Sequence, residues 1–388
     1  MSFDPSNYNF SDAPDSKGAV IPDLTKLSEA DRQRLLYAGM DLNSQGRSGS
    51  FIHMNHAGNA SKSFQEGLEL MDIKEALRHF DGLPQYFWKL LDPEQDDLAR
   101  ANYANLHGGY FIRARKGAKI DVPVQSCLFI NGSGIGQNIH NIVIVEEGAE
   151  LNIISGCVTS TDTHEAAHVG FSEMYVEKGG KLNFTMIHNW SEETAVRPRT
   201  AGVLGEDASL VNNYVLLDRV KDLYMYPTTH MNGENSVAIF NSVIVAPEGS
   251  HVDSGSRLLM NAPNTRGEII SRTLTTGGTI INRGFIGGYA APAKGHLECK
   301  GLILGGGRIH AIPELDATVD DVELSHEAAV GKIAQEEIEY LMARGLDSDE
   351  ATSTIVRGFL NVDIMGLPQE LQDRMESEIK RLDMSGAM

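Results

Sequence analysis

The chain contains 388 residues and carries a formal net charge of −20, and this composition excludes several classes of protein. Hydrophobic residues make up 41% of the chain, which is enough to form a core, so the chain is not broadly disordered. The surplus of negative charge repels phosphate groups and argues against direct binding of nucleic acids or anionic lipids. The three cysteines, Cys127, Cys157 and Cys299, include no C-x-x-C pair, which excludes a disulfide-rich secreted domain and a four-cysteine metal site within one chain.

The sequence contains no recognisable targeting or membrane segment. Residues 1–17 are polar and acidic, without a basic stretch followed by an apolar one. The longest apolar runs, such as Ile142–Val145, are far shorter than the ~20 residues that span a bilayer. We therefore expect a soluble, cytoplasmic protein that is not inserted in a membrane.

The first quarter of the chain predicts a flexible segment followed by helices. Residues 1–27 contain three prolines among several Asp and Ser residues, which predicts a flexible lead-in. Ser28 and Asp72 each resemble a helix N-cap, and apolar residues follow both at helical spacing. Further prolines interrupt this region, so we predict short helices over residues 28–105.

Residues 106–312 consist of short β-prone runs separated by Gly, Asn and Asp, which predicts many strands. A short template recurs within them: a turn residue, a small residue, a polar residue and then the apolar start of a strand. Near-constant spacing of such a template indicates equivalent positions in a stack, so we predict a mainly β protein with a β-helix core. The alternative is a β-sandwich whose turns are evenly spaced. The template recurs, with gaps of 31, 31, 28 and 28 residues, at Gly117, Gly148, Gly179, Asp207 and Asn235.

Residues 313–388 show helical periodicity and predict a small C-terminal helical domain. Ser325 is a good N-cap, Asp347 or Ser348 can cap the next helix, and Pro368 can open a last one. The charged residues of this domain form either a solvated face, which is the usual case, or a groove for a partner.

Two short motifs resemble functional signatures but lie in the wrong context. His164 to His168 match H-E-x-x-H, yet the segment lies between β-prone runs, where two histidines four residues apart do not converge on one metal. Residues 131–136 are rich in glycine without completing G-x-G-x-x-G, and no P-loop occurs in the chain. We therefore expect a turn of the solenoid at 131–136 and no nucleotide bound by this chain.

Candidate ligands for a metal or cluster lie in two C-terminal segments. Cys299 lies near the end of the repeat region, and His326 and Glu327 lie further along the chain. A thiolate, an imidazole and a carboxylate can together ligate iron or zinc. The alternatives are that Cys299 is a small buried hydrophobic residue and that His326 is a polar residue at a helix start. For Cys157, too, the alternative is a small buried hydrophobic residue.

Several separated blocks of the chain resemble the SufB/SufD family of iron–sulfur cluster assembly proteins. The similarity covers about residues 105–365 and implies a right-handed parallel β-helix between helical ends. It also implies dimerisation through that core and binding of an ABC-type ATPase, SufC, by the C-terminal helical domain. The matching blocks, in chain order, are Gly108–Gly117, Val145–Leu151 with the following Gly156 and Cys157, His168–Glu173, Ile187–Trp190, His326–Ile333, Tyr340–Leu346 and Ile355–Phe359.

The resemblance also implies roles for individual residues. Cys299 lies where SufB has a cysteine essential for cluster assembly, Glu327 matches a SufB acidic residue beside it, and His326 matches a histidine of both relatives. Cys157 matches the SufB position that receives sulfur, which would then travel inside the β-helix to Cys299. His188 stands where SufB usually has Gln. Cys299 and Glu327 are SufB-like, whereas Val330-Gly331 is SufD-like, and this mixture resembles that expected of a single-type SufBD protein.

We therefore predict a homodimeric scaffold, not an enzyme, that holds a nascent, transient iron–sulfur cluster through Cys299, His326 and Glu327 from one or both subunits. Three cysteines per chain cannot supply four thiolates locally, so the ligands must be mixed. Two other functions stay open: a SufD-like organiser of the ATPase complex that binds no cluster, and an unrelated β-helix enzyme that acts on polysaccharides.

Overall fold

The computed structural model of the chain describes residues 3–10, 24–56, 58–360, 372–373 and 376–377. Its centre is a β-helix in which two ten-stranded sheets face each other. Almost every strand pairs in parallel with the equivalent strand of the previous and the next coil, with little change of register. The predicted mainly β fold with a β-helix core is therefore confirmed, and the β-sandwich alternative is wrong.

Sheet 1 carries the candidate ligands near one of its ends. In spatial order its strands are β2 (Gly58–Ser63), β1 (Gly49–Met54), β5 (Lys119–Ile130), β7 (Glu150–Thr159), β9 (Lys181–Asn189), β11 (Ser209–Leu216), β14 (Val237–Ala246), β16 (Thr265–Thr275), β18 (Ala293–Ile303) and β20 (Val322–Gly331).

Sheet 2 forms the opposite wall of the solenoid. From the C-terminal end its strands are β19 (Arg308–Ala317), β17 (Thr279–Gly288), β15 (His251–Met260), β12 (Asp222–Met225), β10 (Glu193–Leu204), β8 (Glu165–Val176), β6 (Ile135–Val145), β4 (Tyr110–Ala114) and β3 (Leu68–Asp72), with β13 (Thr228–Met231) between β10 and β15.

Short helices flank the solenoid at both ends of the chain. None of the helices in the described ranges is long and apolar enough to cross a membrane. The α-helices are α1 (Glu29–Tyr37), α2 (Ile73–His79), α3 (Asp97–Ala104), α4 (Gln335–Met342) and α5 (Ser348–Phe359).

The repeat template marks the turns that stack along one edge of the solenoid. All five template positions have positive φ angles, between 56° and 71°, a backbone conformation that suits Gly, Asn and Asp. The backbone N–H of Gly148 donates to the carbonyl oxygen of Lys178 in the next coil, at 2.9 Å, and Gly179 donates in the same way to Glu206. The sequence repeat thus follows from turn chemistry that each coil requires.

Apolar clusters hold the solenoid and its helices together. The largest cluster lies between the two sheets and contains residues from every coil. A second cluster covers the outer face of sheet 1, where Leu35 of α1 and Val356 of α5 pack. A third places Ile73 of α2 against Phe111 and Ile142 on the outer face of sheet 2. The helices therefore cover the outer faces and leave the space between the sheets as a separate interior.

The N-terminal helices begin where the sequence predicts, but strands accompany them. The Ser28 side chain accepts a hydrogen bond from the backbone N–H of Asp31 at 3.0 Å, and Asp72 caps α2 by accepting from Lys74. Three short strands, β1, β2 and β3, also lie in the region predicted to be helical. They join the sheets of the solenoid, a long-range pairing that local patterns do not reveal. Of the predicted flexible segment, residues 1–2 and 11–23 lie outside the described residues.

The C-terminal boundary of the solenoid differs from the prediction. Ser325, predicted to cap a helix, lies inside β20, so that prediction is wrong and the strands continue to Gly331. Pairing with β18 outweighs the local helix signal, because Val322 and Leu324 pack against the interior at the period of two that a strand requires. α4 and α5 follow, and Asp347 caps α5 as predicted. The helix predicted from Pro368 starts outside the described residues.

Candidate functional site

Cys299 lies in the interior of the last coils of the solenoid. It belongs to β18, is fully buried, and faces the apolar cluster between the two sheets. Its register partners are Ser271 on β16 and Ala328 on β20. Burial raises the pKa of the Cys299 thiol to about 11, so the free side chain is a protonated thiol at neutral pH.

His326 lies on the same face of sheet 1 as Cys299. It pairs in register with Leu297, which faces the interior, and Leu324 two residues earlier also packs there. Cys299 pairs with Ala328, two residues after His326, so Cys299 and His326 are diagonal neighbours on adjacent strands. His326 is exposed because β20 is the last strand of sheet 1 in the described part of the chain.

Glu327 lies on the opposite face of β20. Its carboxylate is 3.1 Å from the Lys300 Nζ, and Lys300 also contacts Glu298 at 2.9 Å. Arg272 forms a further ion pair with Glu298, which completes a charged cluster on the outer face of sheet 1. The structure therefore brings Cys299 and His326 to one face and places Glu327 on the other. Within the described ranges, no group of three or more His, Cys, Asp or Glu residues can hold a metal ion.

Cys157 faces the same interior five coils from Cys299. It lies on β7, is 1% exposed, and its Sγ contacts the Met186 Sδ at 3.5 Å. Burial raises the pKa of its thiol well above 9. Cys127, in contrast, faces outward into the apolar layer beneath α1, so it shares no surface with the other two cysteines.

A cavity inside the solenoid is lined by Cys157 and extends towards the coil of Cys299, which does not itself line it. It has a volume of about 60 Å³, which is room for a few atoms. Ser271, the register partner of Cys299, lines the far end, so the cavity reaches within one strand of that thiol. Residues that line it between the two cysteines include His168, Met186, His188 and Tyr214.

Two histidines inside the solenoid, His168 and His188, were not predicted from the sequence to be site residues. We call them the lumen histidines. His188 is the register partner of Cys157, and its Nδ1 is 3.0 Å from the Tyr214 hydroxyl. Burial lowers the pKa of His188 well below 6.5 and that of His168 to about 3, so both rings are neutral. The sequence did contain a signal that His188 lies beside Cys157. The two residues are 31 positions apart, which is the spacing of the repeat in those coils.

The structure agrees with the interpretation of the H-E-x-x-H match and of the glycine-rich segment 131–136 as parts of the solenoid. His164 is exposed just before β8, whereas His168 is buried inside the solenoid, so the two rings of the H-E-x-x-H match do not face one metal. Residues 131–134 form the turn between β5 and β6, with positive φ at Gly132 and Gly134, and residues 135–136 begin β6.

Comparisons with known proteins identify the family of the chain. Residues 128–359 match the family described as SUF system FeS cluster assembly, SufBD core domain. An iron–sulfur cluster assembly SufBD family protein of Archaeoglobus fulgidus is 50% identical over 351 residues, which cover 90% of this chain and 94% of that protein. A SufBD family protein of Methanothermobacter thermautotrophicus strain Delta H is 43% identical over 91% of this chain and 87% of its own length. The SufB protein of Bacillus subtilis is 31% identical over 83% of this chain and 70% of its own length. The chain belongs to the SufBD family of iron–sulfur cluster assembly proteins.

Proposed function

We propose that this chain is a homodimeric scaffold on which an iron–sulfur cluster is assembled, with Cys299 and His326 as ligands. The observation that carries the proposal is the position of these two side chains on one face of adjacent strands, at the end of the solenoid. Two copies that meet at this end supply two thiolates and two imidazoles. Four ligands of these types are the set that a Rieske-type [2Fe–2S] cluster uses.

The end of the solenoid supports a dimer at this place. β19 and β20 each pair on one side only within the described ranges, and strands with a free edge readily pair with another chain. Interior-facing positions of β20 are exposed, among them Val330 at 42%. A second copy packed there would cover both the open edges and the exposed apolar residues. Glu327 would act as a cluster ligand only across such an interface, because within one chain its carboxylate pairs with Lys300.

The buried thiol at Cys157 supports a role as the sulfur acceptor. It faces the cavity that extends to Ser271, beside Cys299, so the interior offers a path that is shielded from water. We propose that Cys157 accepts the outer sulfur of a donor persulfide, whose thiol leaves, and that a thiol reductant then releases this sulfur as sulfide, which moves through the cavity to the cluster ligands. Unpaired cysteines throughout the chain suit the reducing cytoplasm.

The C-terminal helices are the proposed docking site for an ABC-type ATPase such as SufC. Tyr340 and Met342 of α4 are 59% and 43% exposed, and exposed aromatic and Met side chains are common at the centres of interfaces. Co-purification with the ATPase should fall at least tenfold for Tyr340→Ala, whereas Tyr103→Ala, an equally exposed tyrosine on α3, should not affect it. Equal losses in both variants would contradict docking at α4.

Anaerobic reconstitution with iron and sulfide tests the scaffold directly. The chain should develop the charge-transfer absorbance of a cluster, Cys299→Ser should lose it, and Cys127→Ser, which removes a buried thiol on the outer face, should keep it. Retained absorbance in Cys299→Ser would remove this residue from the site.

The second candidate function is a SufD-like organiser that binds no cluster. The absence of a three-residue ligand group within the described part of one chain favours it. An unchanged rate of cluster assembly after replacement of both Cys299 and His326 would establish it. The family match leaves no support for a polysaccharide-active enzyme.

A further inference from the structure

Three soft donor groups meet inside the solenoid at Cys157, away from the proposed cluster ligands. The Cys157 Sγ and the Met186 Sδ are 3.5 Å apart. Cys157 pairs in register with His188 on the neighbouring strand, and Met186 lies two residues before His188 on the same face. A thiol, a thioether and an imidazole therefore lie on one face of two neighbouring strands and line the same cavity.

Hydrogen bonds orient the rings of the lumen histidines, as they usually orient the rings of histidines that bind a metal. The Nδ1 of His188 bonds to the Tyr214 hydroxyl, which leaves its Nε2 as the free ring nitrogen. His168 behaves similarly, because its Nδ1 bonds to the Gln137 Oε1 at 3.0 Å. An amide oxygen only accepts, so the His168 Nδ1 carries the proton and its Nε2 carries a lone pair. A second hydrogen bond of this kind orients a ligand ring and fixes its tautomer.

We propose that Cys157, Met186 and His188 form a binding site for one copper(I) ion. Two sulfur ligands about 2.3 Å from one ion, at an angle of about 100°, are about 3.5 Å apart, which matches the observed separation of the two sulfur atoms. Thiolate and thioether ligands select soft ions, of which copper(I) is the leading biological example. The site shares Cys157 with the proposed sulfur route, so bound copper(I) would block sulfur acceptance there, but it uses neither of the proposed cluster ligands, Cys299 and His326.

Charge balance selects a monovalent ion over a divalent one. The thiolate of Cys157 neutralises copper(I), whereas zinc(II) or iron(II) would leave one positive charge inside the protein. No Asp or Glu side chain lines the cavity in the described ranges, so nothing there would compensate that charge. An uncompensated charge in a buried site is strongly unfavourable.

Binding releases the Cys157 proton to solvent. Because burial holds the thiol pKa well above 9, the thiol is protonated across the neutral range, and metal and proton compete for the sulfur. The apparent affinity for copper(I) should therefore rise about tenfold for each pH unit between pH 6 and pH 8. An affinity that does not change with pH in this range would contradict ligation by this thiol.

Competition between the full-length chain and a chromogenic copper(I) chelator, under anaerobic conditions, tests the site. We expect one high-affinity ion per chain, lost in Cys157→Ala and weakened at least tenfold in Met186→Leu and in His188→Gln. Met186→Leu keeps the volume of the side chain, so it separates loss of the sulfur ligand from loss of the fold. Cys127→Ala, which removes an outward-facing buried thiol, is the matched control and should bind as the wild type does.

Two results would overturn the site: wild-type affinity in Met186→Leu, or a tightly bound ion that persists in Cys157→Ala. X-ray absorption of the loaded protein should show two sulfur ligands and one nitrogen ligand, and a single sulfur would also contradict it. Failure of the scaffold proposal is distinguishable, because Cys299→Ser should lose the cluster and still bind copper(I).

Discussion

Burial determines what each of the three thiols can do. Cys299 and Cys157 face the interior of the solenoid and belong to the apolar cluster there, whereas Cys127 faces the layer beneath α1. A buried neutral thiol is stable against oxidation and becomes a ligand only when an incoming metal displaces its proton. Loading of a cluster at Cys299 should therefore be favoured as the pH rises.

The titration of Cys299 is the first prediction at this scale. Burial raises its pKa to about 11, above the ordinary value of 9, because the thiolate loses its solvation in the interior. The difference in ultraviolet thiolate absorbance between the wild type and Cys299→Ser should have its midpoint near pH 11. A midpoint near pH 9 would show that the thiol is solvated.

Gly109 gives a second prediction at the residue scale. Its φ is 139°, and a methyl group on this residue would collide with the backbone carbonyl oxygen of His140. Gly148 also has a positive φ, 66°, but a methyl group there meets open space. Gly148→Ala should lower the free energy of unfolding by about 1–2 kcal/mol, the cost of a left-handed residue that is not glycine.

Gly109→Ala should cost at least about 2 kcal/mol more than Gly148→Ala, because a backbone collision is added to the same conformational cost. Urea unfolding of both variants measures the difference. Equal losses would show that the backbone around His140 gives way.

At the scale of elements, one buried carboxylate fastens a loop to the outer face of sheet 2. Glu173 of β8 accepts hydrogen bonds from the backbone N–H groups of Trp88, Lys89 and Leu90, at 2.6–2.7 Å, and from the His140 Nε2 at 2.9 Å. Burial alone would raise the pKa of Glu173, but the hydrogen bonds from His140 and the loop keep it below its usual value. Trp88 in this loop holds a φ of 55°, which is unfavourable for a bulky residue. The hydrogen bonds to Glu173 are what hold the loop in this conformation.

Glu173→Gln should lower the free energy of unfolding by about 2–4 kcal/mol, because an amide NH₂ would face the loop N–H donors in place of an acceptor. The control is Glu147→Gln, an exposed partner of Lys116, which should leave the free energy of unfolding almost unchanged because solvent screens this ion pair. Denaturant unfolding measures both, and hydrogen exchange should show loss of protection at residues 88–91 in the first variant only. Unchanged protection there would mean that the carboxylate is not what holds the loop.

The elements that local chemistry specifies could be predicted, and those that depend on long-range pairing could not. The repeat turns, the caps at Ser28 and Asp72 and the helix after Asp347 follow from residues within a few positions of one another. β20 contains Ser325, a strong local signal for a helix start, yet its pairing with β18 decides its structure.

The candidate site shows the same limit. Cys299 and His326 could be proposed as neighbours only through the family resemblance, because 27 residues separate them in the chain. The sequence alone could not assign Glu327 to the opposite face, since its side depends on the strand structure of β20 that the helix prediction missed. The role of His188 beside Cys157 also required the register of β7 and β9.

At the scale of the whole molecule, the two ends of the solenoid differ. The β1–β2 hairpin extends sheet 1 at one end, whereas the described chain leaves β19 and β20 as final strands at the other. Solenoids generally need their ends covered to remain soluble, and a second copy covers this end in the proposed dimer.

Val330→Asp should therefore convert the dimer to a monomer, because it places a charge at the proposed interface. Val122→Asp is the matched control, since Val122 is 44% exposed and Val330 is 42% exposed, and it should remain dimeric. Light scattering during size-exclusion chromatography measures the mass of each. A dimer that survives in Val330→Asp would place the interface elsewhere.

The central claim is that one cluster is shared by Cys299 and His326 of two copies, and mixed dimers test it most directly. Dimers of one wild-type copy and one Cys299→Ser, His326→Ala copy can be isolated with two different affinity tags and reconstituted with iron and sulfide. Shared ligation predicts that the mixed dimer holds almost no cluster, because one copy supplies only half of the ligands. A mixed dimer that retains half of the wild-type iron would show that each chain holds its own cluster and would contradict the account.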